Sequence, residues 1–73
     1  MSITRVNTRN QFRGAVIGIV RGDVMSEVEI ETSAGVISAV VTTSSLKRLG
    51  LQVGDPALAL FKAADVLIAK LED

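Results

Sequence analysis

Phe12-Arg13-Gly14-Ala15-Val16-Ile17-Gly18-Ile19-Val20 is the stretch that decides the fold. Its apolar and β-branched residues read as a strand. The two glycines inside it mark a bulge or a sharp bend, of the kind that turns a barrel corner. Arg21-Gly22-Asp23 is a turn signal that ends the strand. Glu27-Val28-Glu29-Ile30-Glu31 then alternates strictly, which sets Val28 and Ile30 toward a core and three glutamates toward solvent. A helix is the alternative for these five residues, but the period of two argues against it. Ser33-Ala34-Gly35 is a hairpin-like link, and Val36 to Thr42, rich in β-branched residues, is the third strand.

Further along the chain comes one short helix. Thr43 or Ser44 caps it, Leu46 and Leu49 share a face, and Gly50 stops it. Leu51 to Pro56 is a turn. Ala57 to Phe61 is apolar throughout, as in a strand covered on both faces. Lys62 to Asp65 interrupts, and Val66 to Lys70 resumes as a fifth strand, with a helix over Ala63 to Leu71 as the alternative by propensity. Residues 1–5 are a loose N-terminal arm. The expected fold class is all-β: a small five-stranded OB-like barrel with one short helix. An SH3-like barrel is the nearest rival. The whole chain, residues 1–73, is expected to form one domain.

Composition narrows the function. A 73-residue chain is marginal alone, because it buries only about 60% of its unfolded surface. Such folds need a disulfide, a metal or a partner subunit. There is no cysteine and no histidine, so disulfides, thiolate chemistry, the commonest metal ligand and the commonest general base are all missing. Self-association is the remaining staple, and 48% apolar residues supply surface for it. Eight basic residues balance eight acidic ones, and Phe12 and Phe61 are the only aromatics. Both facts count against an OB-type nucleic-acid binder, which wants basic charge and stacking platforms. No apolar run approaches membrane-spanning length, and the N-terminus lacks the apolar core of a secretion signal, so a cytoplasmic location is expected. The glutamates of the second strand look like a solvated face, and an enzyme is the least favoured class.

Two polar runs remain. Asn7-Thr8-Arg9-Asn10-Gln11 gathers short donors around one arginine, and Lys62-Ala63-Ala64-Asp65 places one lysine among small residues. Most arginines and lysines are simply solvated. Taken together, though, the runs offer two fixed positive charges and several neutral donors, an inventory that suits a small doubly charged oxyanion. Thr42 and Ser45 have helix capping as their ordinary role, which does not exclude anion contact.

Asn7-Thr8-Arg9-Asn10-Gln11-Phe12-Arg13-Gly14 resembles the opening segment of the molbindins, the small Mop-type molybdate-binding domains of the TOBE/OB-like group. Thr42-Thr43-Ser44-Ser45 with Leu49-Gly50-Leu51 and Val53-Gly54 resembles their middle segment, and Leu60 to Lys70 their closing one. The resemblance implies an OB-like barrel assembled as a hexamer, a trimer of dimers, with molybdate, or tungstate as its near-twin, bound at subunit interfaces. It implies a role in storage, buffering or homeostasis; a stand-alone oxyanion-sensing regulatory module, related to those of transporters and transcription regulators, is the alternative. Carried over by position, the oxyanion site would use Asn7, Thr8, Arg9, Asn10, Thr42, Ser45, Lys62, Ala63 and Ala64. Arg9 and Lys62 would bring charge from different subunits, Thr42 and Ser45 hydroxyls, and the segment at Ala63 backbone amides. Asn7 stands where the family usually has serine, and Ala64 where it usually has serine or threonine. The turn Gly22-Asp23-Val24-Met25-Ser26 resembles the segment of a second oxyanion site near the threefold axis, which would use Gly22, Val24, Met25 and Ser26.

Overall fold

The computed structural model describes residues 6–72; the expected N-terminal arm, residues 1–5, lies outside the described residues. Four strands form one antiparallel sheet: β1 (Asn10–Val20), β2 (Met25–Thr32), β3 (Gly35–Thr42) and β4 (Pro56–Phe61), in the order β3-β2-β1-β4. The helix α1 (Thr43–Leu49) follows β3, and a single 3-10 turn (Ala63–Asp65) follows β4. The sheet is a curled half-barrel, so the OB-like class stands with four strands in place of five.

β1 is long because it is shared. Its first half, Asn10 to Ala15, pairs with β4, and its second half, Gly14 to Val20, pairs with β2. The glycines do what the sequence implies. At Gly14, where both ladders overlap, a Cβ would run into the Glu31 carbonyl, so only glycine lets β2 come this close. Between Val16 and Gly18 the β1–β2 register slips by one residue, leaving a bulge at Ile17. Beyond the ladder, Val16 N–H donates to Asp55 O at 2.9 Å and Gly54 N–H donates to Val16 O at 2.8 Å, which clamps the loop before β4 onto the bend.

The alternation of β2 is as expected. Val28 and Ile30 are buried, Glu27 and Glu31 are exposed and Glu29 is half-buried. With Val16, Leu46 and Ala59 they make the core, flanked by half-buried Phe12, Ile19, Ile37 and Val41. The hairpin turn at Ser33 and Ala34 is closed by Gly35 at φ 109°.

Four expectations need correction. The cap of α1 is Thr42, one residue before Thr43 and two before Ser44, in the capping role that is its ordinary one: its Oγ1 accepts the Ser45 N–H at 3.1 Å, while Thr43 turns inward. Leu46 is buried but Leu49 is 67% exposed, because a helix of two turns on this small sheet has only one residue directly over the core. Gly50 does end the helix, in the left-handed conformation with φ 64°, its N–H donating to Leu46 O and Lys47 O. Replacing Thr42 by alanine is expected to lower unfolding stability by about 1 kcal/mol, the usual weight of an N-cap, read from denaturant melts; an unchanged midpoint would mean that the cap contributes nothing.

The third correction concerns the fifth strand. Val66 to Lys70 carries no ladder in the described chain, and the helical alternative over Ala63 to Leu71 does not form beyond the 3-10 turn. A strand needs an edge to pair with, and no strand among the described residues takes up the segment. Val66 leaves the turn extended, at φ −84° and ψ 127°. Leu67 and Ile68 are then 95% and 93% exposed. β4 is likewise only partly covered, with Ala59 buried and Leu60 exposed.

Candidate oxyanion site

The pairing of Asn10 with Phe61 brings the two polar runs together. A cleft of about 530 Å³ opens there, lined by Asn7, Thr8, Arg9, Asn10, Lys62 and Ala63. The resemblance implies Arg9 and Lys62 from different subunits; within one chain the two also line a single cleft, because the antiparallel β1–β4 ladder sets the start of one strand against the end of the other.

Thr8 fastens this arrangement. Its Oγ1 donates to Phe61 O at 2.6 Å and accepts the Asn10 N–H at 3.2 Å, so its proton is committed. Thr8 therefore holds the opening segment onto the end of β4 and has no proton left for a ligand. Gln11 Nε2 reaches back to Thr8 O at 2.5 Å, and Gln11 N–H donates to Arg9 O at 3.0 Å. Phe12 and Phe61 stack below, ring centroids 5.7 Å apart. Among the described residues, the one ion pair is Lys70–Glu72, so neither Arg9 nor Lys62 is neutralised by a carboxylate. Asp65 does not line the cleft; its N–H donates to Lys62 O at 2.9 Å and closes the 3-10 turn. The cleft thus joins two cations to the amide of Asn7 and presents no acidic side chain, the complement of an acceptor-only dianion.

The remaining predicted residues sit elsewhere or at the margin. Ala64 follows Ala63 in the 3-10 turn and does not line the cleft. Thr42 and Ser45 stand at the start of α1 and do not line it either. Thr42 Oγ1 donates to Ser45 Oγ at 2.7 Å, and Ser45 Oγ also accepts from Arg48 Nη2 at 3.2 Å, which leaves the Ser45 proton as the uncommitted donor of the pair. Arg48 was missed by sequence reasoning. The signal that could have found it is its spacing from Ser45, three residues along one helix face. In the turn Gly22 to Ser26, Gly22, Val24 and Met25 are exposed, but Ser26 is buried with its hydroxyl engaged, so a ligand at this turn would meet backbone and apolar groups rather than Ser26. Among the described residues no cluster of acidic residues, histidine or cysteine could hold a metal ion.

The TOBE domain family matches residues 7–68, and the chain belongs to it, in the Mop-type molbindin group. It is 37% identical over 65 residues to a probable molybdenum-pterin-binding protein of Haemophilus influenzae, covering 88% of this chain and 94% of that one. The fold superposes on a molybdate binding protein from Sporomusa ovata with TM-score 0.86 and 30% identity, over 92% of this chain and all of that one. A structure of the cytoplasmic molybdate-binding protein ModG with molybdate bound matches with TM-score 0.77 and 36% identity, over 82% of this chain and 43% of ModG.

Proposed function

We propose that this chain binds molybdate, with tungstate as an alternative ligand, and serves as a cytoplasmic store or buffer of the oxyanion without enzymatic activity. The observation that carries the reading is the cleft in which Arg9 and Lys62 face a ligand space free of carboxylates. Membership of a family with a molybdate-bound relative supports the same ligand. No helix among the described residues is long and apolar enough to cross a membrane.

The site is completed between copies of the chain, in a homo-oligomer that we take to be a hexamer built as a trimer of dimers. One copy brings Asn7 to Asn10 with Lys62, Ala63 and Ala64; another brings Thr42 and Ser45 from the start of its α1. The exposed apolar tail favours assembly. Leu67, Ile68 and Leu71 stay in water in the single chain, and each would contribute on the order of 1.5–3 kcal/mol if fully covered by a partner. Neither nucleic acid nor membrane is part of this function.

Titration calorimetry with molybdate, tungstate and sulfate, on protein whose mass is fixed by sedimentation equilibrium, tests both halves. Molybdate and tungstate should bind to an oligomer with similar affinity. Sulfate, a smaller tetrahedral dianion that fixed donors reach poorly, should bind far more weakly. Sulfate competing on equal terms, or a folded monomer at micromolar concentration, would sink the proposal.

A further inference from the structure

We propose that Ser26 and Thr43 are positioning residues for the anion wall at the start of α1, acting through a closed ring of hydrogen bonds that contacts no ligand. The proposal rests on the reading of Thr42 and Ser45 as part of the site. Ser26 is 3% exposed and Thr43 is 8% exposed, and they are the buried polar side chains among the described residues. Thr43 Oγ1 donates to Gly22 O at 2.7 Å. A hydroxyl has one proton to give, so in the 2.7 Å contact between Ser26 Oγ and Thr43 Oγ1 the donor must be Ser26. Ser26 Oγ in turn accepts the Gly22 N–H at 3.4 Å. The bonds therefore run one way, from Gly22 N–H through Ser26 and Thr43 and back to Gly22 O. A fourth bond, Thr43 N–H to Val24 O at 2.8 Å, ties the same helix residue to the same turn.

An apolar pair could fill this space without the desolvation that two hydroxyls cost. What the ring adds is direction. A saturated buried network accepts one arrangement, whereas apolar side chains tolerate several. Leu46 anchors α1 to the core, but one buried residue leaves the helix start free to rotate about it. Thr43 removes that freedom, and it lies between Thr42 and Ser45, whose oxygens meet at 2.7 Å. The orientation of the free Ser45 proton is thus set by a residue that faces the other way. The ring also joins the β1–β2 turn to this wall, so the position of Gly22 is felt at Ser45.

Calorimetric titration of molybdate into the assembled protein, well below the melting temperature, provides the test. Thr43→Val keeps the shape and breaks the ring; it should lower affinity roughly tenfold or more, about the effect of spoiling one charge-assisted bond. Thr43→Ser keeps the hydroxyl and should restore most of the loss. Ser26→Ala leaves the Thr43–Gly22 bond and should cost less than Thr43→Val. Ile30→Val, a core change at a residue with no part in the ring, should lower the melting temperature and leave affinity as in the parent, which separates positioning from stability. Parental affinity in Thr43→Val, with Ser45→Ala weakened, overturns the positioning role and leaves the site standing. Parental affinity in Ser45→Ala, or no binding by the parent, removes the wall and the positioning role together. If Thr43→Val does not fold, Ser26→Ala decides: weakened binding supports the ring, and parental binding overturns it.

Discussion

Lys62→Ala is expected to weaken molybdate binding by about 2–3 kcal/mol, and Arg9→Ala by a similar amount, the scale of a hydrogen bond to a charged group. Each side chain lines the cleft, and neither has a carboxylate partner among the described residues to which it could turn instead. Removal of one leaves a dianion facing a single cation, with the rest of the cleft neutral. The double replacement should cost less than the sum, because either loss already disables a site that both cations share. Neither change should move the unfolding midpoint much, since both side chains are exposed. Arg13 is the internal control. It belongs to the same opening motif, but it is exposed, pairs in register with Leu58 and does not line the cleft, so Arg13→Ala should bind as the parent does. Calorimetry over the double-mutant cycle reads all four values. Strict additivity, or an Arg13 effect as large as the others, would show that the cleft has been assigned wrongly.

Gly14→Ala is expected to have the largest effect on stability, a loss of about 3 kcal/mol or more from forcing atoms into a packed backbone. The added Cβ would overlap the Glu31 carbonyl, and that is backbone held in the β1–β2 ladder, so it cannot swing aside as a side-chain tip could. Relief would require β2 to peel away just where β1 changes partners. The contrast is Gly18→Ala, whose Cβ would meet Glu29 side-chain atoms at no less than 3.6 Å and should be tolerated far better. Thermal melts of the two variants decide the point: equal melting temperatures would mean that the approach of β2 to Gly14 is not rigid.

The strands were legible where local pattern and tertiary role agree. Glu27 to Glu31 alternates because one face meets the core, Gly14 marks the bend because a Cβ there would strike the Glu31 carbonyl, and Gly18 lies beside the bulge. The pattern misleads where an apolar segment finds no edge to pair with among the described residues. Val66 to Lys70 reads as a strand, yet none of the described residues pairs with it. Leu49 has the right spacing for a helix face, but the small sheet does not extend beneath it. The cleft residues were legible as an inventory of charge and donors. Their division between chains was not, because whether Arg9 meets Lys62 within one chain depends on β1–β4 register, which neither run encodes alone. Thr8 shows the same limit from the other side: its hydroxyl looks like a ligand donor in sequence and is taken by Phe61 in the fold.

The bond from Thr8 to Phe61 joins residues 53 apart in sequence, and its donor, Thr8, lines the cleft itself. An anion held between Arg9 and Lys62 would therefore bridge two segments equally far apart in sequence, as a reversible ionic cross-link in a protein without cysteine. A covalent link closing a loop of that length would contribute about 4 kcal/mol by chain-entropy arithmetic. The anion's contribution is graded instead by occupancy, and reaches about 2.7 kcal/mol when free ligand stands at a hundred times its dissociation constant. Cargo and scaffold are then thermodynamically joined: the loaded protein is the more stable one, and its resistance to unfolding rises and falls with the supply of the ion it carries.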